Sequence, residues 1–157
     1  MTPLTLLEPD LAFRLASTLA LAGWVALAFS PPAARWTPWV WRITGYALPL
    51  VLSALYVALL AAHYRGQGGF NSLDEVRALF AVPGALAAGW IHYLAFDLFV
   101  GTWIAERCAR EGRSHAWVVP LLLMTFLFGP LGLLAYALLR SVRPSARLSS
   151  PSTGASA

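Results

Sequence analysis

Pro83 to Ile104 read PGALAAGWIHYLAFDLFVGTWI, and the reading of this stretch decides the fold. It is apolar apart from His92, Asp97 and the hydroxyls of Tyr93 and Thr102. A helix needs roughly 20 such residues to cross the ~30 Å hydrocarbon core of a bilayer. Lipid satisfies no backbone N–H or C=O, so a crossing segment must bond within itself, which favours a helix. On that reading Asp97 lies only about 4–5 Å from the middle of the membrane at 1.5 Å per residue. A charged Asp there costs about 2.5–3.5 kcal/mol on insertion scales. It must turn inward to a partner or hold its proton.

Working outward, three further apolar runs match this one: Leu11–Ser30, Ile43–Ala62 and Trp117–Leu139. Pro31, Pro32 and Pro38 break the first link, Gly66, Gly68 and Gly69 the second, and the charged segment Ala105–Ala116 forms the third. Short links favour antiparallel neighbours. The expected fold is therefore all-α, a polytopic membrane protein whose four transmembrane helices form an up-down bundle. Ser72 and Glu75 have capping-box spacing, which predicts a short interfacial helix between the second and third spans. The Ser/Pro/Ala-rich tail Pro144–Ala157 is too polar to pack and is expected to be disordered.

Composition agrees. Of 157 residues, 59% are hydrophobic and 11% charged, against about 25% charged in soluble domains. All eleven basic residues are arginine, set between and after the apolar runs. That pattern suits lipid head groups, and no basic stripe interleaved with aromatics points to nucleic acid. Trp36, Trp39, Trp41, Trp103 and Trp117 fall near one interface, where an apolar ring and a polar N–H are both accommodated. The first run lacks the positively charged start of a secretory signal and is expected to be retained. Four crossings put both termini on one side. Arginines divide six against five between the two sides, and the open-ended basic tail favours cytoplasmic termini. Cys108 stands alone, so neither an internal disulfide nor a CxxC metal pair is available.

The polar groups inside the runs are the candidate site. Asp97 leads. Tyr93 is one turn back on the same face, with Trp90 on the same stripe. His92 is five positions from Asp97, about 140° around the helix, so a direct pair on one helix is excluded. Depth matching offers Thr125, Ser53 and Tyr46 as polar neighbours of Asp97. Pro130 frees the carbonyl of Phe126, and Gly129, Pro130 and Gly132 suggest a kink and a close-packing surface. Arg14 either enters the bundle or snorkels to the interface. The chain has no HExxH, GxSxG, P-loop or GxGxxG, and its three histidines are too scattered to suggest a metal. A polar residue in a small bundle also serves as packing glue, which is the structural alternative for Asp97 and His92.

Several stretches resemble the abscisic acid-deficient-4-like family: Pro9–Ala16, Gly69–Leu73, Val76–Phe80, Ala88–Gly101 and Leu123–Leu134. The resemblance covers about Pro9–Leu139. It implies a polytopic membrane protein, and its plant members are linked to neoxanthin formation by isomerisation of violaxanthin in plastid membranes. This chain lacks an evident plastid transit segment and looks like a bacterial relative, which implies the bacterial cytoplasmic membrane. The resemblance implies a cofactor-free isomerase or modifying enzyme of a carotenoid or other isoprenoid. The resemblance carries over no catalytic residues; read from this chain's own side chains, Asp97, His92 and Tyr93 would be the acid/base groups of such an enzyme, and Trp90, Thr125, Phe126 and Arg14 its substrate contacts. The alternatives are a non-catalytic protein that binds a lipid, pigment or partner helix, and a small transporter or proton pathway.

Overall fold

A computed structural model describes residues 7–141, and the tail expected over 144–157 lies outside the described residues. Helix α1, Pro9–Ala28, starts with Glu8 accepting a hydrogen bond from the Leu11 N–H (2.8 Å) and with proline in the first turn, where no N–H is needed. The chain turns and re-enters as one continuous helical stretch, Thr37–His63. This comprises α2 (Thr37–Arg42), a π-helical turn (Ile43–Ala47) and α3 (Leu48–His63). Pro49 supplies no N–H to the preceding turn, and the helix accommodates the missing bond by widening to π rather than breaking. The short α4, Leu73–Phe80, is capped by Ser72, whose hydroxyl accepts from the Glu75 N–H (3.2 Å), while Glu75 reaches back to the Asn71 N–H (3.0 Å). The capping signal in the sequence is thus realised. The long α5, Pro83–Arg110, runs a turn and a half beyond Ile104 because its charged end stays helical, with Arg110 and Glu106 paired one turn apart.

Close packing comes from small residues. Ala12, Ala16 and Ala20 recur every fourth residue on α1 and are buried against Ala87, Ala88, Ile91 and Ala95 of α5. Such stripes let backbones approach where no water drives helices together. Further along, Trp24 of α1 occupies the space that a side chain on Gly101 would fill. The buried Thr102 hydroxyl donates to Thr44 (2.8 Å) and ties α5 to the π turn. Three helical stretches, Pro9–Ala28, Thr37–His63 and Pro83–Arg110, are long and apolar enough to cross a membrane.

The fourth apolar run departs from expectation. It is not one helix over 117–139 but two, α6 (His115–Phe128) and α7 (Pro130–Ser141), and the chain reverses between them. Gly129 makes the reversal at φ +50°, ψ −100°, a conformation that disfavours any side chain. Pro130 then opens α7, where its fixed φ suits a first helical residue. Three contacts prove the return. The Tyr136 hydroxyl donates to Glu111 Oε1 (2.8 Å), Arg140 lies 3.4 Å from the same oxygen, and Tyr136 meets the Trp103 ring edge-on at 5.5 Å. Glu111 precedes α6, so α7 ends where α6 begins. The start of α1 lies beside Pro83 and Leu86, at the opposite end of α5 from Glu111. The start of α1 and the end of α7 therefore lie at opposite ends of the bundle, whereas a single fourth helix would put them together.

Glu111 anchors this return. A hydrogen bond from Arg113 (2.8 Å) holds its carboxyl below the usual range; the Tyr136 bond and the charges of Arg113 and Arg140 add to the effect, and partial burial opposes it.

Candidate functional site at the hairpin tip

The hairpin is the right length to reach Asp97. From Arg110 back to Asp97 is about 20 Å of helix, and the 14 residues of α6 span about 21 Å. The tip arrives at the carboxyl. A Cβ on Gly129 would lie 2.9 Å from Asp97 Oδ1, 2.9 Å from the Tyr93 hydroxyl and 3.3 Å from Asp97 Oδ2. The two side chains thus share the surface left open by the missing side chain of the turn. Asp97 is 9% exposed, and its Oδ2 is buried with no hydrogen-bond partner. Buried polar atoms are rarely left so, because the desolvation goes uncompensated. The N-terminus of α7 begins beside the same carboxyl, with the positive end of its dipole there.

Tyr93 and its neighbours form a wall of rings. Tyr93 stacks on Trp90 (6.1 Å, 22°), Trp90 meets Phe13 of α1 (5.7 Å), and its Nε1–H donates to Ser17 (3.1 Å). In front of them lies a groove of about 370 Å³ lined by Phe80, Leu86, Gly89, Trp90, Tyr93, Phe126 and Leu127. It runs under the short α4, whose Phe80 ring would lie 2.6 Å from a Cβ on Gly89. The groove is open on one side and apolar apart from the Tyr93 end. Asp97 sits one helical turn deeper, behind Tyr93. The groove can therefore hold a long apolar molecule against Tyr93, with the Asp97 carboxyl directly behind that side chain.

Of the expected site residues, Asp97, Tyr93, Trp90 and Phe126 come together here. Phe126 also meets Trp24 edge-on (5.6 Å). Thr125 is nearby but turned away: it is buried, gives its hydroxyl to the Leu121 carbonyl (2.8 Å), and accepts the Gly129 N–H on its own carbonyl (2.8 Å). It holds the turn. A Cβ on Gly132 would lie 2.6 Å from the Thr125 nitrogen, so α7 packs directly on the end of α6. Arg14 is exposed on α1 and does not reach the groove. His92 is not brought to Asp97; it packs between Tyr56 (5.4 Å) and Phe96 (4.7 Å) on another face of α5. Ser53 and Tyr46 line a separate groove with Phe96 and Phe99. Gly129 is the site residue that sequence reasoning read as part of a kink and a close-packing surface; it does pack closely, on Asp97 and Tyr93, but it reverses the chain where a kink was expected. Its signal was the Gly-Pro pair, which can reverse a chain as well as bend it.

A model of the ABA DEFICIENT 4-like family matches residues 11–136, which include all but the first two residues of the three long apolar helices and the whole hairpin tip. No curated protein and no solved structure matches the chain.

Proposed function

The chain belongs to the ABA DEFICIENT 4-like family, and from that premise we propose that it is a membrane-embedded, acid/base isomerase of an oxygen-bearing isoprenoid such as an epoxy-carotenoid. One observation carries the proposal. Asp97 has an unpartnered, buried carboxyl oxygen beside the Tyr93 hydroxyl, and Tyr93 in turn lines an apolar groove. Aromatic walls suit a polyene or prenyl chain, and the polar corner suits its oxygen.

Opening an epoxide to an allylic or allenic alcohol moves protons without net oxidation. Asp97, carrying its proton, delivers it to the epoxide oxygen as the C–O bond breaks. A carbon-bound proton leaves to the carboxylate so formed, and its electron pair closes the new double bond. The carboxyl is regenerated, so one residue serves as acid and then as base. Tyr93 donates a hydrogen bond to the same oxygen and holds it in place. His92 has no part in this step.

The test is the purified protein in lipid nanodiscs with epoxy-carotenoid. Turnover is expected, with Asp97→Asn lowering it by about 10²–10⁴-fold and Tyr93→Phe by less. Unchanged pigment with folded protein, or full activity in Asp97→Asn, overturns the proposal. Pigment that co-purifies without turnover points to the binding role.

We further propose an orientation. Arg35, Arg42, Arg107, Arg110, Arg113 and Arg140 belong to the end of the bundle where the hairpin enters, and Arg14, Arg65 and Arg77 to the other. The positive-inside tendency then puts the hairpin entrance in the cytoplasm and the start of α1 outside. This reverses the expectation from a four-span topology, because α7 carries Arg140 back to the end from which α6 set out.

A further inference from the structure

Charge is divided unevenly between the two ends of the bundle. Where α1 begins, Arg14, Arg65 and Arg77 are outnumbered by four acids, Glu8, Asp10, Asp74 and Glu75. Where the hairpin enters, six arginines are set against two acids, Glu106 and Glu111. Both are already engaged. Glu106 pairs with Arg110 (3.5 Å), and Glu111 with Arg113 (2.8 Å), Arg140 (3.4 Å) and the Tyr136 hydroxyl (2.8 Å). The residues outside the described ones carry no Asp or Glu. Arg107 is therefore left without a carboxylate side chain. It is partly buried, with its guanidinium carbon 5.3 Å from the centre of the Trp103 ring, and Trp103 meets Tyr136 of α7 edge-on (5.5 Å). Its Nε is closed off and has no acceptor among the described residues. A guanidinium keeps its charge at any ordinary pH, and a partly desolvated charge without a counter-charge is unfavourable. Depth narrows what can supply one. Roughly 20 residues cross the hydrocarbon core, and α5 has 28, so its charged last turns emerge at head-group level.

We propose that Arg107, on the shelf of the Trp103 ring, binds the phosphate of an anionic phospholipid. Arginine presents a planar fork of donors that matches phosphate oxygens, and the ring beneath restricts the planes that fork can take. The surplus of arginines at this end favours a lipid of net negative charge over a zwitterionic one. A free phosphate ion offers the same oxygens, but a lipid is held by its tails in the layer where Arg107 lies, which raises its effective concentration there. Arg42 provides the contrast. It too lies over a tryptophan, 5.1 Å from the centre of the Trp39 ring, but both side chains are exposed. An exposed pair stays mobile and screened, so it attracts lipid without selecting one. The site is ten residues along α5 from Asp97, about 15 Å toward the hairpin entrance. The inference rests on the bundle lying in a bilayer and not on the acid/base chemistry.

The experiment is native mass spectrometry of the full chain released from nanodiscs of equal phosphatidylglycerol and phosphatidylcholine, counting the lipid that stays bound. Wild type is expected to retain phosphatidylglycerol about tenfold over phosphatidylcholine. Arg107→Gln should lower the retained phosphatidylglycerol about tenfold, since it removes charged hydrogen bonds. Arg42→Gln should change it by less than about twofold. Inorganic phosphate in large excess should not displace the lipid. A second measurement on wild type decides the matter if Arg107→Gln does not fold. Phosphatidylglycerol carrying a diazirine on its head-group glycerol should label the segment Trp103–Glu111 about tenfold more than the segment Trp36–Arg42. Equal retention of the two lipids, equal losses from Arg107→Gln and Arg42→Gln, displacement by inorganic phosphate, or even labelling of the two segments overturns the proposal.

Discussion

Pro49 and Pro130 interrupt apolar runs of similar length, with opposite results. At Pro49 the helix widens to a π turn and continues, so Thr37–His63 remains one stretch long enough to cross a membrane. At Pro130 the chain turns back, and the run becomes a hairpin. Proline is common to both, so it does not decide the outcome. Gly129 does: it takes a positive φ that Leu48, before Pro49, does not adopt. What lies opposite matters as well. The π turn is held by the buried Thr44–Thr102 bond, whereas the hairpin is held at its ends, by Glu111 at the mouth and by Gly132 on Thr125 at the tip.

The largest test of this contrast is all-or-none. In a Cys108→Ala background, Glu111→Cys and Arg140→Cys should be joined rapidly by a short bis-maleimide, because the native side chains touch the same network. A single helix crossing the bilayer would put them on opposite faces, and no cross-link would form. Impermeant maleimide on Arg140→Cys in inverted vesicles should react if the hairpin enters from the cytoplasm; reaction only in right-side-out vesicles refutes that orientation.

Next in size is Gly129→Ala. The added methyl meets Asp97 and Tyr93, and the backbone is forced into a region hostile to side chains. A loss of about 1–3 kcal/mol is expected by thermal or denaturant unfolding in detergent. An unchanged midpoint would mean the turn is not as described.

The mouth should respond to pH. The carboxyl of Glu111 is lowered in the folded state, so its contribution is fully present above the ordinary glutamate value of about 4.3 and is lost as pH falls through the lowered one. Melting temperature should be flat from pH 7 to 5 as far as this group is concerned, then drop in more acidic buffer. Tyr136→Phe should cost about 1–2 kcal/mol at neutral pH and make that drop shallower. A drop as steep as wild type would remove Glu111 as its source.

The smallest effect belongs to Pro49→Ala. Restoring an N–H there should change stability by no more than about 1 kcal/mol, because the Thr44–Thr102 bond keeps the π register. A larger gain would show that proline strains the helix instead of fitting it.

These contrasts also mark what could be read in the residues alone. Hydropathy found the three long helices, Ser72 and Glu75 announced α4, and the angular offset of His92 from Asp97 already separated them. The hairpin was hidden because hydropathy stays high from Trp117 to Leu139 whether the chain crosses or doubles back. Depth matching failed for a related reason. It ended the third span at Ile104, but α5 stays helical to Arg110, which brings Gly129, not Thr125, level with Asp97. The deciding signal was a local one, a glycine before a proline, read as a kink because its partner across the bundle was unknown.

The uncharged tip has a consequence for how the molecule is built. Between Trp117 and Leu139 there is no ionised side chain, so nothing polar has to be dragged through oil for this segment to take its seat. It can be pushed in from its own side after the three long helices are threaded, like a plug into a finished socket.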